Sequence, residues 1–131
     1  MYSAGWLDAP YSLATPYQLV EGITAYGASI PEFYVPDKDT YSLGVLSPGS
    51  YEISARGHNW DWFNTIYGFS IPAIEIHNSY WQTVGSGAFG NYTLDVRQSD
   101  TYYVTVVGPS FGSNEYSVDY RALINSQPYG F

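Results

Sequence analysis

The sequence predicts an all-β fold, a two-sheet antiparallel β-sandwich of jelly-roll-like type, on three observations. Aromatic residues are abundant, with 15 Tyr, 4 Trp and 6 Phe in 131 residues, and such side chains suit a pleated, half-buried surface. The 13 Gly and 8 Pro punctuate turns, so no stretch beyond about ten residues sustains an apolar repeat of helical period. Third, two segments about fifty residues apart read as copies of one another, aligned at one offset without a gap. The first runs from Tyr41 to Gly57 and the second from Tyr92 to Gly108.

Each copy is a period-2 strand (Tyr41, Leu43, Val45; Tyr92, Leu94, Val96), a tight turn and a second period-2 strand. The turns are Ser47-Pro48-Gly49 and Gln98-Ser99-Asp100, residues suited to turn dihedrals. Two such hairpin-like units in one small domain predict the two-sheet arrangement. The other elements fill in around them. Ile23 to Ile30 reads as a strand with a bulge at Gly27. Phe69 to Ile76 reads as a strand whose Pro72 argues for an edge or a break. Trp81 to Val84 is a short strand, and Glu115 to Leu123 alternates with Tyr116, Val118 and Tyr120 on one face. Pro16 to Val20 is the one candidate for a turn of helix. Residues 1–124 are read as a single sandwich module and 125–131 as a tail or linker.

Composition narrows the partners. Twelve acids against four bases give a net charge of −8. The bases Lys38, Arg56, Arg97 and Arg121 are scattered, whereas a phosphate backbone is held by clustered Lys and Arg. No nucleic acid partner is expected. The absence of Cys excludes disulfides, thiolate metal sites and a cysteine nucleophile. No run of about 18 apolar residues is present, so no membrane span is expected. The opening Met1-Tyr2-Ser3-Ala4-Gly5 has neither the basic start nor the apolar run of a secretory signal. A weakly charged surface rich in Tyr, Ser, Thr and Gly fits a module of an extracellular or cell-surface protein.

The order of motifs resembles the pre-peptidase C-terminal domains of bacterial and archaeal secreted peptidases, and the related collagen-binding domains of clostridial collagenases. Asp8 and Ser12-Leu13-Ala14 stand where that pattern has an acidic start and a short Ala-containing turn. Gly22 to Gly27 stand where it has a "G-x-x-x-G" strand, with one residue more between the glycines, while Asp37 to Tyr41 match its "D-x-D-x-Y" and Leu46 to Tyr51 its "L-x-x-G-x-Y". Asp100 to Val106 and Tyr116-Ser117-Val118 match the closing motifs, except that the usual glycine is replaced by Ser99 or Asp100. The likeness spans roughly Asp8 to Leu123. It implies a jelly-roll-like sandwich from an exported multidomain protein such as a peptidase or an adhesin, and does not imply catalysis by this domain.

Few residues suggest chemistry. His58 and His77 lie on no helix that would pair zinc ligands, and no Gly-x-Ser-x-Gly elbow is present. The domain is expected not to be an enzyme. Calcium takes six to eight oxygens, including several carboxylates close together. The resemblance implies such a site from Asp8, Asp37 and Asp39, since aspartates at the matching place in the collagen-binding domains are calcium ligands. The plainer alternative has Asp37 starting a turn after Pro36 and Asp39 capping a strand in solvent, or accepting a backbone hydrogen bond. His58-Asn59-Trp60-Asp61-Trp62-Phe63 is the second place of interest. His58, Trp60, Asp61 and Trp62 read either as a platform for a sugar or peptide or as the closing end of the core. The period-2 tyrosines read as core and sheet-face residues.

The function these features imply is a non-catalytic accessory or adhesion module, joined to other domains of a larger chain. It would bind a protein, peptide or polysaccharide ligand and be stabilised by Ca2+. A purely structural spacer or secretion-assisting domain is the alternative, and a hydrolase a more distant one.

Overall fold

A computed structural model of the protein describes residues 17–29, 38–58, 72–87, 90–108 and 114–123. Among them all regular structure is β. The strands are β1 (Tyr17–Gln18), β2 (Ala25–Ser29), β3 (Lys38–Leu46), β4 (Gly49–His58), β5 (Ala73–His77), β6 (Thr83–Gly87), β7 (Asn91–Val96), β8 (Asp100–Val107) and β9 (Asn114–Ala122). One sheet runs β1-β3-β8-β5-β6 and the other β2-β9-β4-β7. Every pairing is antiparallel except that of β1 with β3.

Alternation decides which faces meet. Tyr116, Val118 and Tyr120 of β9 are all buried, as their spacing predicts. Ile53, Ile74, Ile76 and Val104 have no exposed surface and form the centre of the core between the sheets. In β3 the alternation slips. The register shifts between Ser42 and Gly44, and Gly44 takes φ of 75°, a conformation glycine adopts without steric cost. This bulge turns Val45 outward, 70 % exposed, and Leu46 inward.

The two repeated units are not hairpins. β3 and β4 belong to different sheets, as do β7 and β8, so each turn carries the chain across the core. Period-2 patterning identifies a buried face, and both strands of each unit bury theirs, but it does not say which strand lies alongside. The units instead pair with each other, β3 with β8 and β4 with β7. The sequence offset reappears in the registers. Tyr41 faces Val104 while Tyr92 faces Ile53, and Thr40 faces Thr105 while Asn91 faces Ser54.

The relation extends to whole half-chains. Strand for strand, β2-β3-β4-β5 take the same neighbours as β6-β7-β8-β9, because β3·β8, β8·β5 and β5·β6 correspond to β7·β4, β4·β9 and β9·β2. The sandwich is therefore a near-two-fold arrangement of two four-stranded halves. β1 stands outside this scheme. It lies on β3, at Tyr41 and Ser42, and among the described residues nothing occupies the corresponding place on β7.

Two local expectations are corrected. Residues 17–20 contain no helical turn: Tyr17–Gln18 is a strand, and the Leu19 amide donates to the Ser42 carbonyl at 2.8 Å. A single turn pays the full nucleation cost of a helix, and edge pairing wins. Gly27 is no bulge, since it pairs in regular register with Tyr116. The need there is space. A Cβ on Gly27 would lie 2.5 Å from the Tyr116 ring and 2.7 Å from the Tyr41 hydroxyl.

Candidate functional site

Asp39 lies within β3, not in solvent at its start, and is 1 % exposed. The Tyr116 hydroxyl donates to its Oδ2 at 2.5 Å. Tyr41 and Tyr116 share a hydrogen bond of 2.7 Å, with their rings edge to face. A phenol has one proton. Tyr116 spends its own on Asp39, so Tyr41 is the donor to Tyr116, and a chain Tyr41 to Tyr116 to Asp39 runs through the core. Burial, and then the neighbouring Tyr41 and Asp39, push the Tyr116 phenol well above its ordinary pKa.

For calcium the described residues supply little. No three His, Asp or Glu side chains among them lie close enough together to hold a metal ion, and Asp39 offers one carboxylate where six to eight oxygens are wanted. Asp8 and Asp37 lie outside the described residues. So do Trp60, Asp61 and Trp62, while His58 is described only in its backbone, which pairs with Glu115 at the end of β4.

The structure shows a second place that sequence reasoning missed. A cleft of about 620 Å³ opens at one edge of the sandwich, where β6 and the outer edge of β7 meet. Tyr80, Tyr92 and Tyr102 line it, with Val84, Asp95 and Asp100. Tyr80 is 82 % exposed, and the turn that presents it is firmly built. Asn78 Oδ1 accepts from the amides of Tyr80 and Gln82 at 3.0 and 2.9 Å, and its Nδ2 donates to Gln82 Oε1 at 2.9 Å. Trp81 in the same turn has φ of 61°, a left-handed conformation rare for a bulky residue. Its ring stacks on His77 at 3.8 Å and meets Tyr103 edge-on at 5.9 Å. This lamination fixes the turn to the first sheet.

His77 is buried beneath Trp81, with Nδ1 3.3 Å from the Thr83 hydroxyl and Nε2 3.5 Å from Glu75. Burial lowers its pKa, against the opposing pull of Glu75. At the cleft rim the Ser79 hydroxyl and the Thr101 amide hold the Asp100 carboxyl below its usual pKa. Partial burial, then the charge of Asp100, raise that of Tyr102.

The repeated tyrosines divide between two roles. Tyr41 and Tyr51, in the first copy, are buried. Their counterparts Tyr92 and Tyr102 pack against the core and also face the cleft. The Tyr92 ring lies on the backbone of β6, where a Cβ at Gly85 would come within 2.2 Å of it, and its hydroxyl reaches the Val84 carbonyl at 3.4 Å.

Comparison with solved structures identifies the architecture. The pre-peptidase C-terminal domain of collagenase from Bacillus anthracis aligns with a TM-score of 0.58 at 17 % identity, over 81 % of this chain and 94 % of that one. The fold is that of a pre-peptidase C-terminal domain. The same fold appears in PliG of Aeromonas hydrophila, a periplasmic inhibitor of g-type lysozyme, with a TM-score of 0.54 at 10 % identity over 82 % of this chain and 96 % of that one. No family model and no curated protein matches the sequence. The pre-peptidase C-terminal fold that the motif order implied is thus the observed one.

Proposed function

We propose that the protein is a non-catalytic binding module of an exported, multidomain chain, and that the tyrosine-lined cleft beside β6 and β7 holds its ligand. The observation that carries this reading is Tyr80. A large ring stands 82 % exposed on a turn held by the Asn78 and Gln82 hydrogen bonds and by the packing of Trp81 on His77 and Tyr103, beside two further tyrosines at the wall of a cleft. Rigid aromatic side chains bring contact area at low entropic cost, which suits a protein, peptide or polysaccharide ligand. Both solved structures of like fold support a module without catalytic machinery: one is a domain appended to a collagenase, the other an inhibitor of an enzyme.

The test is a titration of the isolated domain with peptide and oligosaccharide libraries, followed by backbone chemical shifts. Shifts at Tyr80, Tyr92 and Tyr102, abolished by Tyr80→Ala without a change in melting temperature, are expected. A library that moves no resonance in the cleft leaves the spacer role in its place. The segment from His58 to Trp62 belongs to the proposal as a second contact surface. It is checked by whether Trp60→Ala and Trp62→Ala weaken binding and leave stability intact. Calcium stabilisation through Asp8, Asp37 and Asp39 is proposed with them. Saturating calcium should then raise the melting temperature by several degrees relative to chelator, through binding to the folded state alone, and Asp37→Asn should abolish the difference.

A further inference from the structure

We propose that the outer edge of β7 accepts an extended peptide strand, laid parallel to β7 as β1 lies on β3, with an apolar side chain entering the cleft. This deepens the binding-module reading and rests on it. The argument is internal to the molecule. β3 and β7 occupy corresponding positions in the two halves, each followed inward by its partner's strand. On β3 that outer position is filled: Tyr17 and Gln18 pair with Tyr41 and Ser42, the Leu19 amide donates to the Ser42 carbonyl, and Leu19 enters the core at 2 % exposure. On β7, among the described residues, the same position is open and the cleft is found there, lined by Tyr92, Thr93, Leu94 and Asp95.

The edge itself is matched. β7 presents Tyr92-Thr93-Leu94 where β3 presents Tyr41-Ser42-Leu43, and past the β3 bulge Asp95, opposite Ser50, takes the place of Val45, opposite Thr101. A physical cause for the difference is also visible. In the first half the chain reaches β2 through β1 and residues 19–24, whereas in the second β5 joins β6 through the tight turn at residues 78–82. That turn is too short to lay a strand on β7. A strand edge without a neighbour offers a row of main-chain donors and acceptors, and peptides are bound by completing it.

The side chains indicate which peptide. Beside β3 the Gln18 amide lies 3.4 Å from where a Cβ on Gly44 would stand. β7 has no counterpart of that bulge, and its Thr93 and Asp95 share the exposed face. A lysine or arginine paired with Thr93, as Gln18 is with Ser42, therefore lies diagonally beside the Asp95 carboxylate, which also accepts from the Ser50 hydroxyl. The net charge of −8 favours the same choice. The next residue takes the place of Leu19 and is apolar. The ligand is therefore an extended peptide carrying a basic residue followed by an aliphatic one.

The experiment uses the synthetic peptide Tyr-Lys-Leu-Val, end-blocked, and the same peptide N-methylated at its leucine. The unmodified peptide is expected to shift and protect the backbone amides of 92–95. N-methylation removes the one donor aimed at the Thr93 carbonyl, leaves every side chain in place, and should weaken binding at least tenfold. Equal affinity of the two peptides overturns strand addition. So does a neutral oligosaccharide that perturbs the cleft while neither peptide does, an outcome that preserves the binding-module reading. A concentration-dependent dimer pairing through β7 would make a second copy the occupant and overturn the assignment to a partner peptide. Silence from peptides and oligosaccharides alike removes both readings.

Discussion

The Tyr116 hydroxyl reaches from one sheet to the other and donates to the Asp39 carboxylate at 2.5 Å. Seventy-seven residues separate the two in sequence, and the bond closes a buried polar chain that begins at Tyr41. A carboxylate inside the core is costly unless donors satisfy it.

Removing that donor should therefore cost more than removing the one before it. Tyr116→Phe is expected to destabilise the domain by about 1–3 kcal/mol, since a buried charge-assisted bond is lost. Tyr41→Phe, which takes away the donor to Tyr116 and leaves the one to Asp39, should cost about 1 kcal/mol. Urea midpoints at neutral pH provide the comparison, and the reverse order would show that Asp39 is held by other groups.

Alkaline unfolding should report the same chain. The Tyr116 phenol is raised above its unfolded value, so its contribution is fully present below about pH 10 and is lost as pH climbs toward the folded value. Stability measured between pH 9 and pH 11 should fall more gently in Tyr116→Phe than in the parent chain.

At the acid side the sign reverses. Burial lowers the His77 pKa, so the unfolded chain binds the extra proton first, and stability declines as pH drops below about 6.5. His77→Gln should flatten the slope of denaturation midpoint against pH between 7 and 5.

Close approach between the sheets gives a fourth test. Gly85→Ala would force the Tyr92 ring off β6 and should cost about 1–3 kcal/mol, as overpacking does. Paired with Tyr92→Leu, which lacks the ring atoms that clash, the cost should fall well short of the sum of the single changes. Strict additivity in chemical denaturation would place the strain elsewhere.

Much of the sandwich was legible in the chain. The alternation at Tyr116, Val118 and Tyr120 and the gap-free copy beginning at Tyr41 and Tyr92 translate directly into buried faces and matched registers. What the chain conceals is adjacency. Ser47-Pro48-Gly49 has the composition of a hairpin turn and serves as a passage between sheets, because turn chemistry constrains dihedrals and not the destination of the next strand. β1 was hidden by its two-residue length. Asp39 reads in sequence as a calcium ligand, a strand cap or an acceptor for a backbone amide, because its phenolic donor comes from distant β9. The cleft escaped notice because Tyr80, Tyr92 and Tyr102 come from three separate elements, although Asn78, a residue that bonds its own turn, was a usable sign that the chain reverses tightly before Tyr80.

The near-two-fold axis supplies the domain with its own internal control. A residue required merely to make this sandwich should have an equivalent in the other half, as Ile53 has in Val104. Where the halves disagree, the shared pairing scheme alone does not explain the choice. Asp39 stands opposite Gly90 in that comparison, Val45 opposite Asp95, and the six residues before β2 opposite the brief turn that displays Tyr80. Those asymmetries mark where one half of the sandwich carries something that the other half does without.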